Sequence, residues 1–164
     1  MRDNRAFNFW LNAGTGNWTL LIRILLFGVF FFEGIQKLIF PEILGAGRFT
    51  KIGIPYPELT GPFVGWVELI CGIFILIGFI SRPAAALLII TMLVAIFTTK
   101  IPILLGHDWL GFSLRELSRY GFWSFAHETR TDWSMLLSAM FLMIAGPGAW
   151  SLDRVIFRKR NETE

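Results

Sequence analysis

Four stretches of this 164-residue chain are long and apolar enough to form helices that cross a bilayer, and they constrain the fold more than any motif does. A spanning helix needs about 20 mostly apolar residues. The stretches cover approximately residues 18–40, 62–80, 83–105 and 133–150. Lipid offers no hydrogen bonds, so segments of this kind must satisfy their own backbone groups as helices. With 54% hydrophobic residues, 17 Phe and 7 Trp, the chain is too apolar for an ordinary soluble domain. The reading is an all-α fold, an integral membrane four-helix bundle in which residues 1–164 form a single membrane domain. A long outer loop, about residues 106–132, joins helices 3 and 4.

The punctuation agrees with helices. Pro41 follows the first stretch, Pro62 and Pro83 open the second and third, and Gly146-Pro147-Gly148 closes the fourth. Only Ser81-Arg82-Pro83 separates the second from the third, which makes them an antiparallel hairpin. Trp18, Trp133 and Trp150 lie at segment ends, the depth of the headgroups. The polar residues ahead of the first stretch, and Arg23, Glu33 and Lys37 within it, do not read as a cleaved signal peptide. Phe7, Phe9, Trp10 and Leu11 fit either a surface-lying segment or a plain tail. Seven Lys and Arg flank the side that holds both termini, against six on the other. That excess, with the run Arg158-Lys159-Arg160, favours both termini in the cytoplasm. The net charge of +3 is explained by an anionic leaflet and calls for no nucleic acid.

Ionisable residues inside spans are costly and mark functional interiors. Glu33, Lys37 and Glu68 are such residues, and the expected helix ends place both carboxylates roughly 10 Å below the outer boundary at 1.5 Å per residue. Lys37 follows Glu33 at the i,i+4 spacing of an ion pair. In one reading these groups only lock helix register, with Glu33 paired to Lys37 and Glu68 bound to a backbone amide or hydroxyl. In the other, one carboxylate exchanges a proton with a ligand head group while Lys37 holds the second ionised. Gln36 adds an amide beside them.

Other candidates carry less chemistry. Cys71 shares the face of Glu68, but a lone cysteine forms no internal disulfide or redox pair and reads as packing. His107 and His127 fall in the expected outer loop, away from the spans, so no haem of the membrane type is expected. Their spacing matches no zinc signature, and no metal is expected. Leu110, Phe112, Leu114, Leu117, Tyr120 and Phe122, interleaved with Arg115, Glu116 and Arg119, fit a short amphipathic surface helix. Gly45-Ala46-Gly47 lacks the context of a dinucleotide loop, and no flavin fingerprint or P-loop is present. Any redox chemistry therefore needs a bound carrier or a partner.

The order of motifs is familiar. Glu33-Gly34-Ile35-Gln36-Lys37-Leu38, Gly53-Ile54-Pro55-Tyr56-Pro57, Val67-Glu68-Leu69-Ile70-Cys71-Gly72, Gly78-Phe79-Ile80-Ser81-Arg82, Gly146-Pro147-Gly148 and Ser151-Leu152-Asp153 together resemble the DoxX family over roughly residues 18–156. The family pattern often has a histidine and a glycine before its Gln-Lys pair, where this chain has Glu33 and Gly34. The resemblance implies a four-helix protein of the bacterial inner membrane. Relatives are described as parts of thiosulfate:quinone oxidoreductases or of complexes that handle thiol and oxidative stress.

The leading expectation is a membrane-embedded subunit of a quinone-linked oxidoreductase complex. Glu33, Lys37 and Glu68 are its candidate catalytic residues, and Gln36, Glu33 and Glu68 would hold the quinone. The alternative is a non-catalytic accessory or assembly subunit of a larger respiratory or photosynthetic complex. It would meet partner helices through its abundant aromatics and through small residues such as Gly65, Gly72, Gly78, Ala84, Ala85 and Ala86.

Overall fold

The computed structural model describes residues 16–161, so the segment containing Phe7, Phe9, Trp10 and Leu11 lies outside the described residues. All the regular structure described is helical: α1 (Thr19–Ile39), α2 (Ala46–Ile52), α3 (Pro57–Ile77), α4 (Ser81–Ala95), a π-helical segment (Ile96–Lys100), α5 (Ile101–Leu105), α6 (Phe122–Ala145) and α7 (Leu152–Asn161). Three helical runs are long and apolar enough to cross a membrane: Thr19–Ile39, Pro57–Ile77 and Ser81–Leu105. The fourth long helix, α6, carries Glu128, Arg130 and Asp132 in its first half.

α1 packs chiefly on α3 and α6 chiefly on α4, with α3 against α4 joining the two pairs. The core is built from all four long helices and includes Leu26, Phe30, Cys71, Ile75, Ala85, Leu88, Ala139 and Leu142. Residues 16–18, 78–81 and 146–153 gather at one end, tied by Thr19 Oγ1 donating to the Pro147 carbonyl (2.9 Å) and Asp153 N–H to the Gly78 carbonyl (2.8 Å). This is the terminal end. The opposite, loop end holds α2 and residues 106–121, joined by Ser113 N–H to the Ile52 carbonyl (2.8 Å).

Local chemistry explains most of the boundaries. α1 stops before Pro41, which pushes Phe40 out of the helical region (φ −118°, ψ 60°). α3 ends in a Schellman motif. Gly78 is left-handed at φ 70°, its N–H reaches the Ile75 carbonyl (3.1 Å), and Phe79 N–H reaches that of Phe74 (2.9 Å). The accompanying apolar contact is the edge-on pair Phe74–Phe79, 5.3 Å between centroids.

Three expectations are corrected. α3 opens at Pro57 and not at Pro62, which lies inside the helix; Pro57 takes the first helical position, where a missing N–H costs nothing. α6 opens at Phe122, eleven residues before Trp133, and ends at Ala145, because its polar first turns hide a helix from a hydropathy reading. His127 is consequently helical and exposed, and the non-helical loop shortens to 106–121. The amphipathic helix expected there does not form. Trp109 and Phe112 close a tight turn on each other through paired backbone hydrogen bonds of 3.0 and 2.9 Å, and left-handed Leu110 (φ 49°) and Gly111 (φ 86°) break any helical run.

Candidate functional site

The backbones of α1 and α3 approach closely, and glycine makes this possible. A Cβ on Gly34 would sit 2.6 Å from the Gly65 carbonyl oxygen and 2.7 Å from the Leu69 nitrogen. Lys37 is one turn beyond Gly34 and Glu68 one turn beyond Gly65, so the close approach brings their side chains together.

Lys37 bridges two carboxylates. Its Nζ lies 2.6 Å from Glu68 Oε2 and 3.1 Å from Glu33 Oε2. The two ends of the bridge differ in surroundings: the Glu68 side chain is 3% exposed, that of Lys37 10% and that of Glu33 52%. A buried carboxylate is thereby linked through one ammonium to a carboxylate on the outer face of α1. The structure thus brings Glu33, Lys37 and Glu68 together. Gln36 is exposed and takes no part in this bridge, although one helical turn places it beside Glu33. Glu68 bonds Lys37 instead of the backbone amide or hydroxyl considered for it.

Two cavities of about 290 Å³ each lie elsewhere, and neither is lined by Glu33, Lys37 or Glu68. One is an apolar cleft between α3 and α4, walled by Phe63, Trp66, Ile70, Phe74 and Leu87. Cys71 touches this cleft from the core, where it is 4% exposed. The other opens at the loop end among charged side chains. Among the described residues, no group of three or more His, Cys, Asp or Glu gathers to hold a metal.

Sequence reasoning missed a second polar cluster, at the terminal end. Arg23, 2% exposed, donates to four backbone carbonyls: Ile75 (2.8 Å), Leu76, Pro147 (3.2 Å) and Trp150 (2.5 Å). Ile75 and Leu76 belong to the last turn of α3, whose carbonyls lack helical partners and attract a cation. Asp153 does the converse for α4, accepting from the N–H groups of Ile80 (2.7 Å) and Ser81 (3.0 Å). This holds Ile80, a β-branched residue, in a left-handed conformation at φ 39°. Arg82 donates to the Ile144 carbonyl near the end of α6 (3.1 Å). The available signal was Arg23 inside an apolar stretch together with Asp153 after Gly146-Pro147-Gly148.

The DoxX family model matches residues 18–101. The chain is 44% identical over 140 residues to the uncharacterized membrane protein Rv3486 of Mycobacterium tuberculosis, covering 85% of this chain and 82% of that one. It is 26% identical over 145 residues to the Bacillus subtilis protein named "Putative oxidoreductase CatD", covering 87% and 90%. No solved structure matches the chain. On the family match and the similarity to Rv3486, this membrane chain belongs to the DoxX family.

Proposed function

We propose that this protein is the membrane-embedded subunit of a quinone-linked oxidoreductase complex, with Glu33, Lys37 and Glu68 handling protons at a quinone head group. The observation that carries the reading is the graded bridge, in which Lys37 joins a buried carboxylate to an exposed one. A structural ion pair needs one carboxylate, and Glu68 already supplies it. Glu33, half exposed on the lipid-facing side of α1, adds little to stability and is placed to meet a ligand. The name of the Bacillus subtilis relative supports a redox role.

The residues fit a quinone head group. Glu33 and Gln36 offer a proton donor and an amide one turn apart on the exposed side of α1, from which an isoprenoid tail would run into the lipid. Quinone reduction consumes two electrons and two protons, the electrons arriving from a partner subunit. Glu33 would deliver both protons to the ligand in turn, taking each up from the aqueous side before transfer, Lys37 would stabilise the carboxylate left behind each time, and Glu68 would keep Lys37 charged. In this reading α6 is the fourth span, both termini are cytoplasmic and the membrane is the bacterial inner membrane.

The accessory-subunit alternative keeps its exposed aromatics, such as Phe32, Trp66 and Phe141, and the partly exposed Ala86, but loses most of its small residues. Gly65 and Gly72 are filled by Leu38 and Phe31 of α1, Gly78 meets Ser151 and Arg23, and Ala84 and Ala85 are 2% and 0% exposed in the chain's own core. These small residues are engaged internally and do not present a surface for partner helices.

Purification in mild detergent tests the proposal. The expected result is stoichiometric bound quinone that is lost in Glu33→Gln and Glu68→Gln proteins of unchanged fold. Quinone-free protein from quinone-replete membranes, or parental quinone content in both variants, overturns it.

A further inference from the structure

The cavity at the loop end has a different character from the rest of the molecule. Its floor is α2, which contributes Arg48 and Lys51; its wall is the π-helical segment, which contributes Thr99 and Lys100; its roof is the loop residues Ser113 to Glu116. At about 290 Å³ the space equals roughly ten waters at 30 Å³ each, enough for a charged group with several attached atoms. π segments interrupt regular helices at functional positions. Here Pro102 supplies no N–H to the preceding turn, and the widened coil turns Thr99 and Lys100, consecutive residues, to the same wall.

The charges in the lining are unequal in their commitments. Lys100 is paired with Asp132 (3.3 Å) and Arg115 with Glu128 (3.3 Å). Among the described residues neither Arg48 nor Lys51 has an ion-pair partner, and Glu116 is the acidic residue of the lining. The lining therefore keeps one positive charge in surplus, beside the hydroxyls of Thr99 and Ser113. A singly charged phosphodiester matches it: it has one negative charge, oxygens for a guanidinium fork and for an ammonium, and a position at the level where a helix leaves the bilayer.

We infer that this cavity binds a phosphate group held chiefly by Arg48 and Lys51, as an anionic phospholipid headgroup or as a soluble phosphate ester. The assignment is measured without turnover; Arg48 also acts electrostatically on Glu68, so bound quinone is followed alongside in the Arg48 variant, and lipid retention lost at parental quinone content separates the two readings.

Native mass spectrometry of the full chain in neutral detergent tests it, with phosphatidylglycerol and phosphatidylcholine as lipid probes and glycerol phosphate as the soluble one. Phosphatidylglycerol should be retained at least fivefold over phosphatidylcholine. Arg48→Gln with Lys51→Gln should lower that retention roughly tenfold, as expected for two partly exposed charge contacts, while Arg119→Gln, which removes a basic residue outside the cavity lining, leaves it unchanged. Glu116→Gln should strengthen retention and keeps the question answerable if the double variant folds poorly. Displacement of the lipid by glycerol phosphate identifies a soluble ester as ligand; resistance to it identifies the lipid. Equal retention of the two lipids with no uptake of glycerol phosphate overturns the assignment. So does equal loss in Arg48→Gln/Lys51→Gln and Arg119→Gln.

Discussion

Two buried charge clusters, one at each half of α1, are built on opposite plans. Arg23 at the terminal end spends its whole guanidinium on backbone carbonyls, three helix ends converge on it and its neighbours, and no part of it is open. Lys37 near the loop end binds two side chains, one sealed and one exposed, and touches a single backbone carbonyl at 3.5 Å. A charge fixed by main-chain groups cannot be released without undoing the fold. A charge shared between two carboxylates has more than one arrangement within reach. The first plan is that of a clamp, the second that of a site, and burial alone does not tell them apart.

Substitutions can break this contrast. The largest effect is expected for Arg23→Met, which takes one donor from each of four carbonyls, Pro147 keeping Thr19 and Ile75 keeping the Gly78 N–H: a loss of about 3–5 kcal/mol, read as a large fall in the thermal midpoint in detergent or as absent folded protein. Lys37→Met should cost nearly as much by leaving Glu68 buried without a partner, about 3–5 kcal/mol. In that case, however, the further change Glu68→Leu should restore most of the loss, because the penalty belongs to the orphaned carboxylate. Arg23 has no such rescuing partner, and a double-mutant cycle separates the two plans.

Asp153→Ala follows, with about 1–3 kcal/mol expected from unsatisfied Ile80 and Ser81 N–H groups and from the left-handed Ile80 they restrain. Increased hydrogen exchange at residues 80–82 would locate the damage. Glu33→Gln should be the mildest, within about 1 kcal/mol of the parent, because it takes a costly charge off the lipid-facing side of α1 while Lys37 keeps its buried partner Glu68. A larger loss would place Glu33 with the clamp.

The sequence made the second cluster legible and hid the first. Glu33, Lys37 and Glu68 stand out because they interrupt apolar runs and share a depth, and the i,i+4 spacing of Glu33 and Lys37 is a local relation. Arg23 interrupts an apolar run as plainly, but its partners are carbonyls at residues 75, 76, 147 and 150, which no side-chain pattern announces. α1 was legible from its apolar run and lies within a residue of its expected limits, whereas α3 begins five residues before its expected start. Hydropathy failed where polar residues are helical, as in α6, whose Asp132 is matched by Lys100 across the helix pair and whose Thr129 is buried. It failed again at residues 110–122, where the apolar spacing suits a helix but Gly111 and Gly121 favour a turn. Gln36 lies one turn from Glu33 on the exposed side of α1 but a 100° step from Lys37, so it stands beside the exposed carboxylate and outside the bridge to Glu68.

The contrast between clamp and site is tested most directly by titrating a short-chain quinone into two folded variants, Glu33→Gln and Arg23→Lys, with tryptophan fluorescence as the readout. The expected result is at least a tenfold loss of affinity in Glu33→Gln, at unchanged thermal midpoint, and parental affinity in whatever fraction of Arg23→Lys remains folded. Parental affinity in Glu33→Gln, or a loss confined to Arg23→Lys, would contradict it.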